Sequence, residues 1–173
     1  MKITAKIIVL TVLFLFSATP VCSQTRERTQ VPASETWKLE DLYPSDRHWN
    51  KAKDELVAQF DEVLKYKGKL SSSASQLLAC LDFDSNLSKE LVRLRSYAAM
   101  NSDQDTRDSK YLAMKQQVAQ LITDYLSLAS FVEPEIAQMD KSQIDELISE
   151  EPGLKIYRMY LHDIQRMKAH KLS

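Results

Sequence analysis

Three histidines, two cysteines and several paired carboxylates are the residues through which this 173-residue chain could run metal, nucleophile or acid–base chemistry. The histidines are His48, His162 and His170. None is followed by glutamate, so the H-E-x-x-H spacing that sets two zinc ligands on one helix face is absent. His162 and His170 have no third ligand at a matching helical offset, and His48 sits beside Trp49 at a helix start. They read as surface or packing histidines. Serines are plentiful, but no G-x-S-x-G elbow exists, and with only Gly68 and Gly153 neither that elbow nor a phosphate-cradling loop can be built. Glu133/Glu135 and Glu150/Glu151 lie beside prolines and read as solvated helix ends. A working acid–base pair needs burial to split its pKa values. Catalytic, cofactor-binding and metal residues are therefore assigned as none.

The first 23 residues read as a secretory signal peptide. Lys2 and Lys6 precede the apolar run 7–16, and a small, polar segment with Pro20 follows. Cleavage is expected after Ser23. The run is too short for a retained anchor, and the segment before Cys22 is a poor context for a lipid-modified cysteine. Cleavage removes two cations and no acid, leaving 21 Lys+Arg against 24 Asp+Glu, a net of −3. That excludes the basic excess of a nucleic-acid binder. Cys22 leaves with the signal. Cys80, in the apolar run 77–81, then has no intramolecular partner and reads as a small buried hydrophobe. With 44% hydrophobic and 27% charged residues over the full sequence, the composition is that of a globular protein.

The elements follow from apolar periodicity and from the scarcity of glycine, which together predict an all-α fold. Residues 24–45 form an extended lead-in whose Trp37, Leu39, Leu42 and Tyr43 wrap onto the helices. Pro44 holds Tyr43 out of helical backbone, and Ser45 or Asp46 caps the first helix. The helical domain spans 46–173. Its first helix, about 46–67, carries the stripe Trp49, Ala52, Leu56, Phe60, Val63 and Leu64, and ends at Gly68. Ser73 and Gln76 have capping spacing for a short helix over 76–81, 82–86 reads as a turn, and a second helix follows over 87–101. The central element is expected at 106–139, one long helix with Tyr111, Met114, Val118, Leu121, Tyr125, Leu128 and Val132 on its apolar face. The other helices are expected to lie antiparallel around it. Ser142 and Asp145 have the spacing to cap a short helix through Ile148. Pro152 opens the last element, with Leu154, Tyr157, Leu161 and Ile164 on one face.

Three stretches carry a resemblance. The first is Trp37-x-Leu39-x-Asp41-Leu42-Tyr43-Pro44-Ser45, with Trp49 after it. The second is Ser96-Tyr97-Ala98, then Asp103-x-Asp105-Thr106, then Phe131-Val132-Glu133-Pro134-Glu135. The third is Tyr157-Arg158-x-Tyr160-Leu161-x-Asp163-Ile164, ending in His170-x-Leu172-Ser173. In this order and spacing they resemble the N-terminal region of oligoendopeptidase F, in the thimet-oligopeptidase-like M3 family of zinc metallopeptidases.

The resemblance implies N-terminal helices that form one wall of a channel admitting oligopeptides. The zinc-binding catalytic portion of such enzymes lies further along the chain, and its motif glutamate activates water. No zinc ligand or general base carries over to any position here, so no cofactor is expected in this chain. The chain reads as a truncated product, a fragment or a separately encoded N-terminal portion, inactive alone. Its expected partners are the missing C-terminal catalytic portion and, through it, oligopeptides. No nucleic acid and, after signal cleavage, no membrane is expected. Its expected location is periplasmic or extracellular. The alternative is a stand-alone exported helical binding or scaffold protein. If the catalytic portion packs here, apolar surface should remain exposed around the 106–139 helix, near residues 131–136.

Overall fold

The computed structural model describes residues 30–171. The signal peptide expected at 1–23, residues 24–29 of the lead-in, Leu172, Ser173 and the side chain of His170 lie outside the described residues or side chains. The chain divides into two units, Met1–Thr36 and Trp37–Ser173. The described part of the first is a single 3-10 turn, Ala33–Glu35, closed by the Thr36 hydroxyl donating to the Ala33 carbonyl at 3.0 Å. The second unit is all helical among the described residues.

Its helices are α1 (Asp46–Val57), α2 (Ala74–Gln104), α3 (Ser109–Leu128), α4 (Val132–Gln138), α5 (Lys141–Glu150) and α6 (Arg158–Lys171). 3-10 turns join them at Phe60–Tyr66, Ala129–Phe131 and Pro152–Tyr157. The spine is α2, roughly 46 Å long at 1.5 Å per residue. The Ser73 hydroxyl caps its start by accepting from Gln76 N at 3.2 Å. It contains neither glycine nor proline, so nothing in its sequence interrupts the ladder.

This corrects two expectations. The turn expected over 82–86 is helical: the stripe Leu77, Cys80, Leu81, Leu87, Leu91 and Leu94 keeps one helical phase on either side of it, with Asp84 at the position between. The long helix expected over 106–139 is instead α3, a 3-10 turn and α4. Pro134 explains the break. Proline lacks an N–H and its ring meets the carbonyl four residues back, so it is tolerated only in a first turn. The helix restarts at Val132, which places Pro134 there. The bundle therefore forms around 74–104, not around 106–139.

Two ladders of contacts fix the directions. Along α1 and its 3-10 continuation, Asp46 meets Tyr97, Trp49 Nε1 donates to the Leu94 carbonyl at 2.9 Å, and the Tyr66 ring packs on Phe83. Along α3, Lys110 reaches the same Asp46 and Tyr125 reaches Asp84. Both segments thus run antiparallel to α2. The first helix is shorter than expected. Beyond Val57 the chain tightens to a 3-10 period, which puts Phe60, Val63 and Tyr66 in the core and leaves Leu64 exposed. Gly68, at φ +75°, then turns the chain back.

The lead-in from Trp37 is tied down largely as expected. Leu39 and Tyr43 are buried, Tyr43 stands edge-on to Tyr97 at 5.6 Å, and Arg93 donates to the Leu42 carbonyl at 2.7 Å. Trp37 is the exception, 56% exposed. A 3-10 turn at Leu39–Asp41 interrupts the extended path.

At the other end α4, α5 and α6 close the core through Ile136, Ile144, Ile148, Leu154 and Leu161, all at most 1% exposed. Each such side chain contributes about 1.5–3 kcal/mol of burial. The cap of α5 is Asp140 with Gln143, two residues earlier than the Ser142–Asp145 pairing expected. Asp140 offers a carboxylate to the Gln143 N–H while the Gln143 side chain accepts from the Asp140 N–H, so both ends are satisfied.

Candidate functional site

The polar groups with defined geometry are tyrosine–aspartate pairs set along α2. Tyr97 donates to Asp46 at 2.8 Å, Tyr125 to Asp84 at 2.8 Å and Tyr157 to Asp82 at 2.7 Å. Each joins α2 to a different element: α1, α3, and the 3-10 turn leading into α6. Asp84 and Tyr157 also line a groove of about 480 Å³ between α2 and α6, with Leu81, Lys89, Val92 and Tyr160.

The environments of Asp46 and Asp84 differ. At Asp46 burial pushes the carboxyl up, but the bonds from Lys110 and Tyr97 outweigh it and hold the pKa below the usual value. The Lys110 ammonium lies 2.8 Å from that carboxylate. At Asp84 burial wins over the Tyr125 bond and the pKa is raised. The phenols of Tyr97, Tyr125 and Tyr157 are all pushed up, by burial first and then by their acids, so they remain donors. Tyr160 is pushed up to about 12 by burial, with Glu133 and Asp84 adding to it. A phenol held protonated against a carboxylate is a latch. Tyr125 and Tyr157 thereby tie α3 and the turn before α6 to α2 at the edge of the groove.

The residues singled out by sequence are scattered. His48 pairs with the Ser45 hydroxyl at 2.9 Å, and His162 Nε2 lies 3.0 Å from Asp145. Cys80 is fully buried and its thiol is pushed up to about 12, chiefly by burial. Glu135 is not simply a solvated helix end. Its carboxylate accepts from the Gly68 N–H at 2.6 Å, pinning the turn to α4. The Glu151 carboxylate accepts from the Gly153 N–H at 3.2 Å and starts the last 3-10 turn. Gly153 permits a close approach there, since a Cβ would stand 2.6 Å from Leu78 Cδ2.

Asp82 and Asp84 were missed as interaction sites because they read as a turn. The signal was present: Asp84 falls where the 3–4 spacing of the α2 stripe calls for an apolar residue. Among the described residues no group of three histidines, cysteines or acids could hold a metal ion. The residues described here thus do not fit a zinc site. No described helix is long and apolar enough to cross a membrane.

The surface around the groove is apolar and open. Ile156 is 78% exposed and Met159 73%, and Val92, Tyr160 and Met167 are also exposed. By contrast Phe131, Val132 and Ile136, where open apolar surface was expected, are buried. They are sealed by α6, whose Gln165 side chain donates to the Ile136 carbonyl at 2.7 Å. Leu112 and Leu126 remain exposed on α3.

A family model described as Oligopeptidase F matches residues 135–173. Oligopeptidase PepF of Bacillus subtilis (strain 168) is 35% identical over 151 residues, 87% of this chain and 22% of the relative. Group B oligopeptidase PepB of Streptococcus agalactiae is 29% identical over 84% of this chain and 24% of the relative. The crystal structure of oligoendopeptidase-F from Enterococcus faecium superposes with a TM-score of 0.66 at 32% identity, over 73% of this chain and 25% of that one. A peptidase structure from Chlamydophila abortus gives a TM-score of 0.73 over 85% of this chain and 25% of that one. At 24% identity it speaks for the fold alone. The chain spans about a quarter of the length of the relatives it matches.

Proposed function

We propose a function from the premise that this chain belongs to the oligoendopeptidase F family, whose N-terminal region it carries. It serves as the helical wall of an oligopeptide-cleaving zinc metallopeptidase and governs access to a catalytic portion that lies beyond the matched quarter. The observation that carries this is the joint match to Bacillus subtilis PepF in sequence and to the Enterococcus faecium enzyme in fold. Zinc and the water-activating glutamate belong to that further portion, and no step of hydrolysis is assigned to a residue of this chain. The run of apolar residues at 7–16 supports export to the periplasm or the exterior.

The purified chain should be helical by circular dichroism, retain no stoichiometric zinc after dialysis, and leave a quenched oligopeptide intact. Zinc-dependent cleavage by the chain alone would contradict the reading.

The second reading, a stand-alone exported helical binding or scaffold protein, draws on one observation: Trp49, Val63, Leu94, Ile136 and Leu161 are all fully buried, so the core is closed. Binding of a defined partner by the chain, with no gain of peptidase activity when it is joined to a family catalytic portion, would favour it.

A further inference from the structure

Four of the ten large apolar side chains exposed among the described residues fall within residues 156–167: Ile156, Met159, Tyr160 and Met167. Met159, Tyr160 and Met167 lie on α6 and Ile156 in the 3-10 turn before it, and α6 already buries Leu161 and Ile164 against the core. It therefore has two apolar sides, one covered and one open. An ordinary surface helix has one. The open side continues across the groove, which Tyr160 shares with Val92 of α2, itself 60% exposed. Apolar clusters of this kind on folded domains mark contact surfaces.

We propose that Ile156, Met159, Tyr160, Met167 and Val92 form the docking surface for the catalytic portion of an oligoendopeptidase F-like polypeptide. This inference rests on the functional reading above. Its occupant is argued from length and position. The chain matches about a quarter of its relatives, so three-quarters of their length is left to meet this region. Ile156, Met159, Tyr160 and Met167 lie within 135–173, the segment the family model matches, and Val92 faces them from α2 across the groove. The expected neighbouring face at Phe131–Ile136 is already covered from within the chain. Tyr160 adds a hydroxyl held as a donor beside the apolar contact, which an acceptor on the partner can use.

The test uses a chimera in which this chain replaces the matched quarter of Bacillus subtilis PepF. Ile156→Cys and Met159→Cys are introduced singly, with Cys22→Ser, in the chain alone and in the chimera. Maleimide labelling is read peptide by peptide by mass spectrometry. Both cysteines should label rapidly in the chain alone, at a rate independent of protein concentration. They should label at least tenfold more slowly in a chimera that cleaves a quenched oligopeptide, and recover full reactivity when it is denatured. Equal reactivity in an active chimera overturns the docking surface and leaves the functional reading standing. Protection that grows with concentration in the chain alone identifies a second copy as the occupant and overturns the proposal. A chimera without activity overturns the functional reading, and this inference with it.

Discussion

The phenol of Tyr125 donates to the Asp84 carboxylate at 2.8 Å, across 41 residues of sequence, and so locks α3 to α2. Tyr125 is 1% exposed, and its ring also packs on Phe60 at 5.3 Å between centroids. Tyr125→Phe keeps that packing and removes only the donor. It leaves a half-buried carboxylate short of a partner, which should cost about 2 kcal/mol. Denaturant unfolding of the two proteins measures it. A change under about 0.5 kcal/mol would mean that water replaces the phenol without penalty.

Two aspartates on this framework should respond to pH with opposite sign. Asp46 has its pKa lowered in the fold, so its contribution is present above the unfolded value near 4 and is lost as pH falls through the native value. Asp84 has its pKa raised, so its contribution is full below the unfolded value and is lost as pH rises through the native one. Asp46→Asn should therefore be most destabilising at neutral pH and converge with the wild type in acid. Asp84→Asn should be least destabilising at neutral pH. Thermal melts from pH 3 to 7 would separate them. Parallel profiles would refute the assignment.

Tyr43 presents the converse case. Its hydroxyl is buried with no partner at full hydrogen-bond geometry, the Glu90 carboxylate being the one acceptor near enough to act on it, while its ring packs on Tyr97 and under the Arg93 guanidinium, 4.7 Å from the ring centroid. Burial and the neighbouring Glu90 push its pKa up to about 12. An unsatisfied buried hydroxyl contributes nothing to the native state, so Tyr43→Phe should be neutral or raise stability by up to about 1 kcal/mol. A loss above about 1 kcal/mol would show that the hydroxyl has a partner in solution.

Gly68 holds a left-handed conformation, with open space where a Cβ would stand. Gly68→Ala therefore meets no clash and should cost only the backbone penalty, about 1 kcal/mol. Because the Gly68 N–H is pinned by Glu135, the turn has little freedom to adopt another φ. A neutral result in chemical denaturation would show that it does.

The all-helical class was legible because periodicity and glycine scarcity act locally. Ser73 and Pro152 marked starts that the structure keeps, and Gly68 marked the turn though not the end of the first helix. What was misread depended on tertiary partners. Asp82 and Asp84 have the composition of a turn, and only Tyr157 and Tyr125, 75 and 41 residues away, make them affordable inside α2. Pro134 was visible in the sequence, but an unbroken apolar stripe through Val132 masked its effect. Leu64, expected on the buried stripe, is exposed because the chain tightens to three residues per turn, which buries Tyr66 against the Phe83 ring instead. The open stripe at Ile156 and Met159 was hidden because the same short segment also carries the buried face.

The central claim is that this chain supplies the N-terminal wall of an oligopeptide-cleaving enzyme, and the most direct measurement is turnover of a quenched oligopeptide by the chimera with Bacillus subtilis PepF. The account predicts zinc-dependent cleavage by the chimera, abolished by chelator and restored by zinc, with none by the chain alone. A soluble, helical chimera that cleaves nothing, or cleavage by the chain alone, would contradict it.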